Sequence, residues 1–194
     1  MPSNPYLYSN FDCLKNKLGY TDPNKLAKAE KHISSLRTAK LAISPLTEQP
    51  DYNYFKAIHR YVFGGIYEWA GQERNIQTER SGYRFEWPEK IKSTAEKHFS
   101  DLAKENYLKD LKRPEFIERS AYYFAEINVV HPFPDGNGRC QRILFDRIAQ
   151  DAGFQFQWGD VPREPFIDAV IHSFAIDTSK LEVVFDRTLR AVNP

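Results

Sequence analysis

Apolar residues recur at helical spacing along most of the chain. After Thr21-Asp22-Pro23, an N-cap followed by proline, the pattern predicts a helix from about Lys25 to Ala42. Leu26, Ile33, Leu36 and Leu41 give it an apolar face. Ser44 to Pro50 breaks the run, and Phe55, Ile58, Val62, Phe63 and Ile66 predict a second helix near Tyr52 to Trp69. From Arg74 to Trp87 the period changes. Asn75 to Thr78 and Tyr83 to Phe85 read as two short strands about the turn Arg80-Ser81-Gly82. Further helices are expected from about Glu89 to Leu108, from Pro114 through Ile127, from Arg139 to about Ala152, and near Arg163–Phe174 and Thr178–Ala191. The whole reads as an all-α domain with one hairpin, preceded by a turn-like opening, Pro2 to Tyr6, laid over it as an extended arm.

At 194 residues the chain is long enough for one compact domain with its own core. With 27 basic and 26 acidic residues interspersed, the net charge is +1, which disfavours broad nucleic-acid or membrane binding and leaves room for a local polyphosphate pocket. Cys13 and Cys140 have no metal-ligand spacing and read as reduced thiols of a cytosol-like, cytoplasmic compartment. No signal-like or membrane-spanning run is present, though specialised secretion stays open.

The chemistry is concentrated in His131-Pro132-Phe133-Pro134-Asp135-Gly136-Asn137-Gly138-Arg139-Cys140-Gln141-Arg142, between two apolar helices. The first N–H groups of a helix lack internal partners and attract anions. Gly136 and Gly138 would let a phosphate approach the backbone closely. Asp135 suits a hard cation such as Mg²⁺, Asn137 can donate to a phosphate oxygen, and Arg139 and Arg142 share a helical face. His131 can accept a proton near neutrality. The loop has no Ser or Cys nucleophile, so a second substrate would supply it.

This stretch resembles the Fic-domain signature, which runs His, any residue, Phe, any residue, Asp or Glu, Gly-Asn-Gly-Arg, two residues, Arg. Every defining position is filled. Ile66 to Arg74 resembles the segment ahead of the hairpin in that family, and Asn4-Pro5-Tyr6-Leu7-Tyr8 resembles the start of compact bacterial Fic toxins. The resemblance covers nearly the whole chain. It implies a single Fic domain over 1–194, with an arm at 1–22, a flap at about 74–87 and the motif at 131–142. It implies AMP transfer from ATP to a Ser, Thr or Tyr hydroxyl of another protein, with pyrophosphate leaving. His131 would be the base, Phe133 the loop anchor, Asp135 the Mg²⁺ ligand, Gly136 to Gly138 the anion hole, and Arg142 the γ-phosphate partner. The hairpin would be a flap that pairs with an extended target segment. Ile76, Thr78, Glu79 and Arg80 are its candidate contacts, chosen by position alone. By analogy the chain is the toxin of a toxin–antitoxin pair acting on the ATPase subunits of gyrase and topoisomerase IV.

Plainer readings exist for each part. An isolated His-Pro-Phe would be a cap, Asp-Gly-Asn-Gly a tight turn, and the two arginines a solvated helix face. The motif as a unit outweighs them. His32, His59, His98 and His172 lack such company and read as surface or packing residues. Rivals are transfer of phosphate or phosphocholine, removal of AMP, and an inactive module that binds proteins through the hairpin. Many Fic proteins carry an inhibitory Ser/Thr, three residues, Glu, Gly/Asn helix whose Glu pairs with the second motif arginine. Ser44 to Glu48 and Thr178 to Glu182 only partly fit it, so a separate antitoxin is expected to supply the glutamate.

Overall fold

A computed structural model describes residues 4–192; Pro2 and Ser3 of the expected turn-like opening lie outside the described residues. Among the described residues seven α-helices carry the structure: α1 (Pro23–Ile43), α2 (Tyr52–Phe63), α3 (Ile91–Lys104), α4 (Arg113–Val130), α5 (Asn137–Asp151), α6 (Arg163–Ala175) and α7 (Ser179–Thr188). α4 is the central element and packs against α3, α5, α6 and α7, while α2 packs against α1, α3 and α5. Most of α4 is accordingly buried, Phe116, Ala121, Phe124, Ile127 and Val130 included, while Glu115, Glu118, Arg119, Tyr122 and Glu126 form a polar stripe toward solvent. Phe124 meets Phe145, Phe166 and Phe185 at centroid distances of 5.1, 5.8 and 5.4 Å, a cluster of tilted and edge contacts typical of ring packing.

Local signals explain where the helices start. The Asp22 carboxylate accepts from the N–H groups of Asn24 and Lys25 at the head of α1, and Asp51 accepts from Tyr54 N–H at 2.8 Å at the head of α2. Helices α1, α5 and α6 stop within a residue of the expected place, whereas the ends expected for α2 and α3 need correction. α2 ends at Phe63 rather than Trp69, because Gly64-Gly65 breaks it and Tyr67 and Trp69 fold back to stack with centroids 4.3 Å apart. The helix expected over Glu89 to Leu108 is divided: a 3₁₀ turn opens it at Pro88–Lys90, and Asn106, Tyr107 and Leu108 leave it with positive φ. On α1, Leu36 is 54% exposed and Glu30 takes a buried place instead.

The hairpin exists but is shorter than expected. β1 (Glu79–Arg80) pairs antiparallel with β2 (Tyr83–Arg84), and Asn75 to Thr78 is irregular. Ser81 and Gly82 both have positive φ, the geometry of a two-residue turn matched to strand twist. A second two-stranded sheet was not expected from the pattern. β3 (Phe154–Phe156) pairs with β4 (Leu189–Ala191), which takes the last residues assigned to the final helix. The N-terminal arm crosses the base of the hairpin: the Tyr6 hydroxyl accepts from Asn75 N–H and donates to Asn75 Oδ1, both at 2.9 Å.

Candidate active site

The loop from His131 to Gly136 joins the C-terminus of α4 to the N-terminus of α5, so both helix ends face one cleft. His131 is the C-cap of α4, just past its last residue, and has a left-handed backbone, φ 43°. That uncommon conformation is fixed from both sides. Arg74 donates from Nε to the His131 carbonyl at 2.8 Å, and the imidazole lies flat on Phe85 with centroids 3.7 Å apart and planes 10° apart. Nδ1 is buried without a hydrogen-bond partner of ordinary geometry, so Nε2 is the atom available to the cleft. Burial, reinforced by the Arg74 guanidinium and at greater range by Arg80, holds the imidazole at about 3 against the opposing pull of the Asn128 carbonyl. It is therefore neutral near pH 7, in the form that accepts a proton.

The loop itself is locked from below. Phe133 is fully buried and packs on Phe55 and on His59, whose ring centroid is 3.9 Å away. Asn137 Nδ2 donates to the Phe133 carbonyl at 2.7 Å and its Oδ1 accepts from Phe133 N–H at 3.0 Å. Asn137 thereby locks the loop through its side-chain amide, a role beyond the phosphate donation expected of it. His59 is a packing residue, as expected, but it also bonds the loop. Its Nε2 meets the Asp135 carbonyl and its Nδ1 accepts from Gly71 N–H, both at 2.9 Å.

Above this base, α5 begins without a side-chain cap, at Gly136 with φ 84°. A Cβ on Gly136 would come within 2.5 Å of the Phe63 ring, whereas one on Gly138 would meet no atom within 4 Å. The two glycines therefore differ: the first is required by packing beneath the loop, and the second leaves open space where the helix end faces the cleft. That cleft, about 570 Å³, is lined by Asp135, Gly138, Arg139, Arg142 and Arg163. Arg139 is engaged by Glu30, with Nη1 donating to Oε1 at 2.6 Å. Arg142 differs. Among the described residues no carboxylate lies within ion-pair distance of it, and its guanidinium sits 5.7 Å from the Phe166 ring centroid. Asp146, one turn further along α5, is half-buried and accepts from the Trp158 indole at 2.7 Å; burial raises it to about 7, so near neutral pH it offsets part of the Arg142 charge. A narrower apolar cavity of about 120 Å³ opens from the same place, between the hairpin and α6, with Tyr83, Phe85, Ile167, Val170 and Phe174 on its walls.

Of the hairpin candidates, only Arg80 lines these two cavities. Ile76 turns its carbonyl to Arg74, and Glu79 pairs across the hairpin with Arg84 at 3.8 Å. The Thr78 hydroxyl is buried with no partner. Sequence reading missed Arg74 as a structural hub. It is 2% exposed and donates to the carbonyls of His131, Ile76, Glu86 and Val130. It also missed Glu30 and His59, whose contacts span 109 and 76 positions and carry no local signal. Glu182 accepts from the Thr178 hydroxyl at 2.7 Å at the head of α7, and it lines neither cavity.

Residues 49–149 match the model of the Fic/DOC family. The chain is 32% identical to the probable protein adenylyltransferase Fic of Escherichia coli K12, over 95% of this chain and 92% of that one. It is 30% identical to the protein adenylyltransferase VbhT of Bartonella schoenbuchensis, over 96% of this chain and 39% of that longer protein. Among solved structures, BepC of Bartonella tribocorum with bound AMPPNP superposes with a TM-score of 0.90 at 27% identity, covering 96% of each chain.

Proposed function

The chain belongs to the Fic/DOC family, and on that premise we propose that it is a protein adenylyltransferase working through the cleft between α4 and α5. The observation that carries this reading is the juxtaposition of a neutral His131 with a helix N-terminus free of a side-chain cap and with Arg142, which has no carboxylate at ion-pair distance among the described residues. The acceptor hydroxyl oxygen attacks the α-phosphorus of ATP, its proton passes to His131 Nε2, and the bond from the α-phosphorus to the bridging oxygen breaks to release pyrophosphate. The main-chain N–H groups of α5 and Arg142 stabilise the phosphate charge. The apolar cavity beside Phe85 and Ile167 takes the adenine ring, which needs little beyond a dry slot and ring contacts.

Asp135 fits a divalent cation of the Mg²⁺ type. Its side chain is half-exposed on the cleft, and among the described residues no group of three or more His, Cys, Asp or Glu could form an all-protein cage. A single carboxylate beside a phosphate site is the usual arrangement for this cation, which neutralises phosphate charge when bound. The two-residue strands of the hairpin each leave an edge unpaired, which suits pairing with an extended target segment near Arg80.

The finer reading is a toxin restrained by a separate antitoxin and directed at bacterial type II topoisomerase subunits, for which only analogy speaks. The test is incubation with α-labelled ATP, Mg²⁺, bacterial lysate and purified topoisomerase subunits, beside His131→Ala. Label entering protein only with His131 intact, with a mass gain of one AMP, supports the reading. A phosphate-sized gain, or equal labelling by both proteins, overturns it.

A further inference from the structure

Glu30 has no part in the chemistry above, yet its position is costly. It lies in the middle of α1, its side chain 11% exposed, where a carboxylate must be fully bonded to be tolerated. Its Oε2 accepts from the Tyr67 hydroxyl and its Oε1 from Arg139 Nη1. The Arg139 guanidinium then lies 4.6 Å over the Phe63 ring, and its Nη2 stops 3.7 Å from Asp135 Oδ2. Tyr67, Glu30, Arg139 and Asp135 thus form a chain that runs from the core to the cleft. A largely buried ion pair is seldom more stable than apolar residues filling the same space, so its net contribution to folding is a poor reason for its presence.

The distances suggest another. Asp135 Oδ1 is occupied by Gly136 N–H at 2.6 Å, so Oδ2 is the oxygen left for a ligand. At 3.7 Å Arg139 forms a loose ion pair with Oδ2 but is too far to hydrogen-bond it, and it needs to move only about one ångström to do so. What keeps it back is the bond to Glu30. We propose that Glu30 is a positioning residue that restrains Arg139 and so keeps Asp135 Oδ2 open to the cation of a metal–polyphosphate complex. Without the Glu30 charge, Arg139 pairs with Asp135 and competes with the cation. At the same time its charge becomes more available to bare phosphates. This rests on the reading of the cleft as a Mg²⁺–ATP site.

The test is calorimetric binding of ATP across a Mg²⁺ titration, in a His131→Ala background so that nothing turns over. Glu30→Gln keeps the side-chain size and a partner for Tyr67. It is expected to raise the half-saturating Mg²⁺ concentration about tenfold, the usual scale for a residue behind a metal ligand. ATP binding in EDTA should be unchanged or tighter. Adding Arg139→Gln to Glu30→Gln should remove the difference, since the competitor is gone. Tyr67→Phe, which loosens Glu30 without stranding a charge, should shift the midpoint the same way by a smaller factor and serves if Glu30→Gln does not fold. A Mg²⁺ midpoint unchanged in both variants, or affinity lost equally with and without Mg²⁺, overturns the assignment. Asp135→Asn separates the two ideas. If it weakens Mg²⁺-dependent binding while Glu30→Gln does not, only the role of Glu30 falls. If the unaltered cleft binds no Mg²⁺–ATP, the reading of the cleft falls with it.

Discussion

His59 is buried to 0% exposure, with a neutral ring that satisfies two partners at once: Nε2–H donates to the Asp135 carbonyl and Nδ1 accepts from Gly71 N–H. A second ring proton would set Nδ1–H against Gly71 N–H. Burial accordingly lowers the imidazole to about 4, with the Arg139 charge adding to it and the Asp135 carbonyl opposing. The unfolded chain, with an ordinary histidine near about 6.5, therefore binds a proton between pH 6.5 and 4 that the folded chain refuses. The stability this residue contributes is complete above that window and is lost as pH falls through it. By pH 5 the loss from His59 should be about 2 kcal/mol. Urea midpoints measured at pH 7.5 and 5 should fall more steeply for the native sequence than for His59→Gln. Equal slopes would mean that the ring is not held neutral. Phe133 is fixed by the same loop contacts, and its burial was legible from the motif. The amide of Asn137 was not, because a residue type that can serve a phosphate can equally serve a carbonyl four positions away.

Helix starts were legible because their causes are local: Asp22 and Asp51 cap the residues that follow them in sequence. The ends of α1, α5 and α6 were legible to within a residue, but that of α2 was not, since Gly64-Gly65 ends it where the apolar spacing continues to Ile66, and that spacing cannot reveal that Tyr67 and Trp69 turn back to stack. β4 was read as helix for a similar reason: its partner, Phe154 to Phe156, is distant in sequence. The hairpin shows what such long-range contacts accomplish. Its two strands are too short to hold themselves in place. Arg74 instead fastens its base, with Nη2 reaching the Glu86 carbonyl at 2.5 Å, Nη1 the Ile76 carbonyl at 2.8 Å, and Nε the His131 carbonyl. One guanidinium thereby couples the hairpin to the proposed base. Lysine has the charge but not the planar fork, so Arg74→Lys should strand at least two carbonyls and cost about 2–4 kcal/mol. Denaturant midpoints would register the loss, and hydrogen exchange should rise across 75–86 more than in α4. A uniform rise would locate the effect in the core instead.

Across the described residues, several arginines have a close carboxylate partner and Arg142 on the cleft does not. Arg139 has Glu30, Arg119 has Glu105 and Arg147 has Asp151, each within 2.9 Å, whereas Arg142 faces the cleft with only Phe166 and a partly charged Asp146 beside it. A glutamate brought to Arg142 from outside would occupy the place of a phosphate, which is the form of restraint expected of an antitoxin helix. The alternative is restraint from within, and Glu182 is the residue whose local sequence comes nearest to the inhibitory pattern. It is held by the Thr178 hydroxyl at the head of α7 and would have to abandon that bond to reach Arg142. Glu182→Gly should therefore leave AMP transfer by the isolated chain unchanged within about twofold, while lowering stability by about 1 kcal/mol through the glycine added within α7. Label incorporation by the two proteins at matched concentration decides the matter. A gain of tenfold or more on substitution would place the brake inside this chain and remove the reason to expect a separate one.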